Sequence, residues 1–536
     1  MIRLRRWWWL VPPALLVALV WPERHFVPMW DGNVYLQCVI DAAQQGLSAH
    51  SLRCGGHHSQ LYMGLLALAE RAAPGSTVAI VTVNLILAVA ALGAFAALLR
   101  RLAPGDDWWA ERALLVTVLA AHPLIGATLV QLNPDFGLYA FFLITLALLL
   151  WQRYPAAALS GLMLCFAKET GALAFGVMLA LHALFRCAGG TGPATTRCRA
   201  IAREMAPAVL PLVAYAAFLG WWAATQSGYF IWNGGIHERP LTGIHWFDFE
   251  DVTLRSYAAI IFVLGFAWVA TAVVVADLAV GAMRTAARRG DRALTGLDAR
   301  ASWFIVVLFA VLTYLLTAYR TWSFPRYFAV LAPLLLVVGF ISLVRLGAGP
   351  SVRRVALGAL ALVLLSANWT SSDPVSRMVF GSLPVGERSL YQVAGIARDF
   401  RALATDHLCY NLEFTGLHDA FNSAFAGIRP TESTYVVFPR TNRWGLWSPL
   451  DPRSFARVAR RTGVVMPRYA DEVMIAVLRD QQPRDLWLLE QPTDADTLAR
   501  AMLHRSYADS GASRYTARGV TIAVRHMVRF GARPLP

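Results

Sequence analysis

For its first 370 residues the chain alternates long apolar runs with short polar pieces. Apolar runs fall at about 7–20, 78–99, 113–130, 136–151, 156–167, 171–185, 206–225, 256–280, 302–319, 328–344 and 355–369. Most approach the ~20 residues that cross a bilayer as one helix. Runs 156–167 and 171–185 are short and could form one tilted helix. Counting them separately, eleven in all, keeps the basic residues consistent with the positive-inside rule. From Ser371 onward the long apolar runs end and charge rises. There 407–414, 433–438, 485–490 and 519–528 read as strands, and 389–405 and 493–505 as helices. The pattern predicts an α-helical polytopic membrane protein of about 11 transmembrane helices over 1–369. A small α/β or α+β domain over 370–536 follows it. No internal repeat or low-complexity linker interrupts this order.

Composition agrees. Of 536 residues, 57% are hydrophobic and 15% charged, against about 25% charged in soluble domains. The net charge of +15 would suit nucleic acid, but much of the arginine before residue 370 sits in short loops between apolar runs. There it sets membrane orientation and attracts anionic lipid. With the N-terminus inside, the inner pieces hold nineteen basic residues and the outer loops eight. An odd number of helices then puts the C-terminal domain outside. Trp21-Pro22-Glu23-Arg24 is no small-residue cleavage site, so the first helix reads as uncleaved. The expected location is the bacterial cytoplasmic (inner) membrane. The first outer loop runs from about 21 to 77. Within it Val34, Cys38, Val39 and Ala42 recur at helical spacing, which suggests an interfacial helix over 33–45. Cys38 and Cys54 share this loop and could be bridged or free.

An ionisable group near membrane depth is a functional candidate by default. Asp31, in Trp30-Asp31-Gly32-Asn33, lies at the outer boundary or caps the following helix. Asp135 closes the turn Gln131-Leu132-Asn133-Pro134-Asp135, which is also ordinary turn chemistry. Lys168, the only lysine, is followed by Glu169 between two apolar runs. The pair either snorkels to the interface or serves a site, with Glu169 holding Lys168. Arg320 and Arg326, with Tyr327, precede the tenth run. They suit either an aromatic and basic belt or a phosphate held by charge-assisted hydrogen bonds. His57 and His58 are weaker: adjacent histidines make a poor metal pair, and no partner has ligand spacing. There is neither a Walker motif nor a Gly-x-Ser-x-Gly elbow.

The order of these features resembles the family C membrane glycosyltransferases (GT-C), the group that includes protein mannosyltransferases and aminoarabinose transferases. The features are an outer-loop Asp31 after the first helix, the Asn133-Pro134-Asp135 turn, the Lys168-Glu169 hairpin, and Arg326-Tyr327-Phe328 before an apolar helix with Pro333. The resemblance covers roughly 1–370. It implies transfer of a sugar from a polyprenyl-phosphate donor, the co-substrate, to a glycan, lipid or protein acceptor at the outer face. By resemblance Asp31 is the catalytic base and Asp135 a second-loop acid. By the same resemblance Arg320 and Arg326 hold the lipid phosphate; apart from it, the charge of Lys168 suits a place beside them, and Glu169, His57, His58 and Tyr327 are read as supporting residues. The chain departs at Gly32, where many relatives carry a second acid. The chemistry fits independently: a lipid phosphate leaves as a stabilised anion, so it needs cations rather than a proton donor. One base then serves the acceptor hydroxyl. No cofactor is expected and a divalent metal is unsupported; nucleic acid is not a partner, membrane lipid is. A transporter or flippase of lipid-linked sugars, or a non-catalytic membrane subunit, are the rival readings. The ionisable residues, gathered at outer helix ends without a repeat, favour the transferase over a transporter.

Overall fold

The structure, a computed structural model, describes residues 7–26, 28, 31–48, 51–52, 59–188, 193–225, 252–286, 296–318, 325–369 and 373–380. In the tail it describes the strands below, 482–484, 506, 530–531 and residues 412, 419 and 423. The chain forms two compact units. The first comprises Met1–Arg24, Cys38–Leu129 and Asn133–Asn368; the second comprises His25–Gln37, Val130–Leu132 and Trp369–Pro536.

The helices are α1 (Val11–Val20), α2 (Asp31–Gln45), α3 (Gln60–Ala72), α4 (Thr77–Leu102), α5 (Trp109–Ala120), α6 (Pro123–Val130), α7 (Pro134–Leu150) and α8 (Tyr154–Cys165). They continue with α9 (Glu169–Ala188), α10 (Ala194–Thr225), α11 (Val252–Phe262), α12 (Ala267–Ala286), α13 (Ala299–Ala318), α14 (Leu331–Arg345), α15 (Pro350–Ala367) and α16 (Pro374–Phe380). By length and composition six helical segments can cross a membrane among the described residues, seven if the bent pair α5–α6 is one span. Four further apolar helices are shorter. The eleven apolar runs thus all fall on helices, but length does not make each a full span. In the helical unit α4 packs on α7, α7 on α8, α8 on α10, α12 on α14, and α5 on α15. Local signals explain the ends. Ser76 caps α4 by accepting from Ala79 N–H at 3.3 Å, and Arg100 and Arg101 close its last turn. Glu111, fully buried at the start of α5, pairs with Arg353 (3.4 Å) and Arg354 (3.3 Å) of α15.

Two of the runs are broken. Pro123 lacks an N–H and interrupts 113–130, so that α5 and α6 meet at 45°. The carbonyls freed by the break cannot be left bare in hydrocarbon. Asn368 Nδ2 donates to the Ala121 carbonyl at 2.9 Å. At the far end of α6, Asn84 Nδ2 donates to the Leu129 carbonyl at 3.0 Å, while Tyr62 OH donates to Asn84 Oδ1 at 3.0 Å. The run 256–280 is divided between α11 and α12 by left-handed Gly265 (φ 63°) and Phe266 (φ 65°).

The expected helix over 33–45 is α2, but its apolar positions Val39 and Ala42 are fully buried in protein rather than turned outward. Cys38 is disulfide-bonded. A second helix in the same loop, α3, escaped the sequence pattern.

The second unit carries β1 (Ser382–Val385), β2 (Arg388–Tyr391), β3 (Thr434–Val437), β4 (Asp485–Glu490), β5 (Tyr507–Ala517) and β6 (Val520–Arg529). β1 and β2 form an antiparallel pair. The other four form a sheet of order β3-β4-β6-β5, parallel between β3 and β4 and antiparallel elsewhere. Strands at 434–437, 485–490 and 520–529 match the expected ones. The helix expected from 389 is instead strand β2 over its first residues. Its remainder, the helix expected over 493–505 and, Leu412 apart, the strand expected over 407–414 lie outside the described residues. β5 was missed because it is an edge strand of mostly exposed, small and polar residues without apolar alternation. Across β4 and β6, Trp487 stacks on its register partner His526 at 4.3 Å, and His526 Nε2 lies 2.9 Å from buried Asp485 Oδ1.

Candidate functional site

The helical unit brings three charged side chains together from three separate parts of the chain. Asp135 lies in the first turn of α7, where the helix dipole favours a carboxylate. Its position is set by Pro134 at N1 and by the turn before it, in which Leu132 takes φ 54°. A left-handed leucine costs about 1–3 kcal/mol and persists only where the surroundings hold it.

Lys168 comes from the three-residue turn between α8 and α9. Two contacts fix that turn. Ser59 Oγ, just before α3, donates to the Ala167 carbonyl at 2.6 Å. Gly171 brings α9 so close to α8 that a Cβ there would lie 2.0 Å from the Leu164 carbonyl oxygen, which no side chain tolerates. Arg326 comes from the single 3-10 turn Pro325–Phe328 ahead of α14.

Lys168 Nζ donates to Asp135 Oδ1 at 2.6 Å, and Arg326 Nε lies 3.4 Å from Asp135 Oδ2. The three side chains are between 1% and 5% exposed. Tyr327 completes the cluster. Lys168 Nζ stands 3.5 Å from its ring centroid and the Arg326 guanidinium carbon 5.3 Å. Cations over a ring face gain about 2 kcal/mol when desolvated. Two cations therefore converge on one carboxylate and one aromatic face. Lys168 lies in the turn, outside the helices; burial pushes its ammonium down from the ordinary lysine value, and the charge and hydrogen bond of Asp135 oppose this. Among the described residues Asp135 is the hydrogen-bond acceptor of Lys168, so the ammonium keeps donors for a further anion.

This corrects one expectation. Half-buried Glu169 acts on Lys168 through its charge, but Asp135, 33 residues earlier in the chain, is what holds it. Neighbouring residues do not face each other at a helix start. Arg320, His57 and His58 lie outside the described residues. Asp31 is the first residue of α2, and its side chain also lies outside them. The next residue explains the departure from the resembled pattern. A Cβ on Gly32 would sit 2.4 Å from the Gln131 carbonyl oxygen, 2.5 Å from Gln131 Oε1 and 2.8 Å from Pro28 Cβ. There is no room for a second acid at that position. Among the described residues no three His, Cys, Asp or Glu side chains converge as metal ligands.

Sequence reasoning missed Tyr62, Asn84 and Ser59, which hold the elements around the cluster. It read Asn133 only as part of a turn and missed Tyr139; their side-chain Oδ1 and OH are buried without a hydrogen-bond partner among the described residues.

With many apolar helices and a small C-terminal sheet, the fold is that of the family C glycosyltransferases, as the resemblance of the motifs implied. Among solved structures the chain is similar to ArnT from Cupriavidus metallidurans bound to undecaprenyl phosphate. The TM-score is 0.53 and the identity 11%, over 97% of this chain and 97% of that one. It is also similar to ArnT from the same organism in the apo state, with a TM-score of 0.50 and 11% identity over 96% and 97%. At this identity the likeness is one of fold. No protein-family model and no curated protein sequence matches the chain.

Proposed function

We propose that the chain is a membrane glycosyltransferase that takes a sugar from a polyprenyl-phosphate donor and passes it to an acceptor at the outer face of the membrane. The observation that carries this is the convergence of Lys168 and Arg326, both buried, on Asp135 and the ring of Tyr327. A leaving lipid phosphate needs fixed cations, which stabilise developing charge far better in a dry site than in water. The compact ammonium and the planar guanidinium offer complementary donors to phosphate oxygens. The ArnT structure of similar fold is bound to undecaprenyl phosphate, which supports the same class of donor here.

Two carboxylates then take different work. Asp135, with one oxygen on each cation, holds those cations in place and is a poor base. Asp31 accepts the proton of the acceptor hydroxyl as it attacks the anomeric carbon, and the polyprenyl phosphate departs as an anion. Arg320 would add a third cation for the phosphate. The test is binding of undecaprenyl phosphate to purified protein. Arg326→Ala and Lys168→Ala should each weaken it by ~10–100-fold, the worth of a charged hydrogen bond. Unchanged affinity in both, in samples that still elute as one monodisperse peak, would place the phosphate elsewhere and return these residues to an interfacial belt.

A further inference from the structure

Asn133 is the N-cap residue of α7, and asparagine at that position ordinarily accepts a hydrogen bond from the N–H of the second or third helical residue. Here its side chain makes no such bond. The Phe136 N–H is taken instead by the main-chain oxygen of Asn133 at 2.9 Å. Asn133 is 2% exposed, and its Oδ1 has no hydrogen-bond partner among the described residues. Burying an acceptor without a donor is unfavourable. The protein keeps this one two residues from Asp135, at the helix end where the two cations meet. Tyr139 OH, one turn below Asp135 on the same face, is likewise unpartnered. A hydroxyl can both donate and accept, so it does not discriminate between ligands. An amide oxygen can only accept. An ionised phosphate offers no hydrogen to it. What can satisfy it is an O–H or N–H donor, and in a polyprenyl-phosphate sugar the group bonded directly to the phosphate, and able to donate, is the hydroxyl-bearing sugar ring.

We propose that Asn133 is a specificity-determining residue whose Oδ1 accepts a hydrogen bond from a hydroxyl of the sugar carried on the lipid phosphate. The inference rests on the proposed donor class and goes beyond it by naming the side chain that reads the sugar.

The test compares binding of bare undecaprenyl phosphate with binding of undecaprenyl phosphate carrying a hexose, a pentose or an aminopentose. Three measurements are made on wild type, Asn133→Leu and Asn133→Asp: affinity for the bare lipid, the gain in affinity from the sugar, and the melting temperature. Asn133→Leu keeps the volume and removes the unpaired acceptor. Its melting temperature should be unchanged or higher and its affinity for the bare lipid unchanged. The gain from the preferred sugar should fall about tenfold, the worth of one hydrogen bond. Asn133→Asp keeps an acceptor oxygen and should keep the gain. If leucine is not accepted, Asn133→Ala reads the same gain. The assignment is overturned if no sugar-bearing lipid binds wild type more tightly than the bare one. It is also overturned if the Leu and Ala variants keep the gain while losing stability, which marks a structural water or a packing contact only. Loss of the donor reading itself shows separately, as bare-lipid binding indifferent to Lys168 and Arg326.

Discussion

Asp31 and Asp135 look alike in the sequence: each is an acid beside a turn on the same expected side of the membrane. The surroundings of Asp135 mark it as a paired carboxylate. Asp135 is engaged by two buried cations, and removing one partner of a buried pair costs about 3–5 kcal/mol because the others are left unpaired. Asp135→Asn should therefore lower the melting temperature of the detergent-solubilised protein. Asp31→Asn should leave it unchanged while transfer falls at least ~10²-fold, the usual loss with a general base. Near-normal turnover in purified Asp31→Asn would remove Asp31 from the mechanism. Lys168 could be singled out from the sequence because it is the only lysine, placed where an ion is costly. Its partner could not. Adjacency pointed to Glu169, and only the folded hairpin brings Asp135 within reach.

At the scale of elements, hydrophobic periodicity located the helices well because bilayer-length apolar runs have few other ways to satisfy their backbone. It did not show where the runs break. A proline at 123 announces the bend between α5 and α6, but the group that makes the bend tolerable is Asn368, 247 residues beyond Ala121, and the far end of α6 is held by Asn84, 45 residues before Leu129. Single asparagines near apolar runs carry no local signal of that duty. Asn368→Leu leaves the Ala121 carbonyl without its buried partner and should destabilise the protein by about 1–3 kcal/mol. Thermal unfolding in detergent measures this; an unchanged midpoint would mean that the carbonyl finds another donor. The same reasoning explains β5, whose place at the sheet edge lets it do without the apolar alternation that marks β4 and β6.

For the whole molecule, the excess of basic residues in one set of loops predicts that the N-terminus is inside and the C-terminal domain outside. Alkaline phosphatase fused after Pro536 should then be active, and a fusion there that fluoresces only in the cytoplasm should stay dark; the reverse pattern overturns the topology. Composition and apolar runs determined by themselves that this is a multi-pass membrane protein with a small C-terminal domain that contains strands. They also determined which charged residues stand at helix ends, because a bilayer penalises every unpaired polar group and leaves that penalty legible in one dimension. Partnership required three dimensions. That Lys168 and Arg326 meet on Asp135, that Gln131 fills the space a second acid would need beside Gly32, and that the Asn133 amide oxygen has no partner among the described residues were decided by tertiary structure. These depend on distances of a few ångströms between segments far apart in the chain, and local pattern does not encode them.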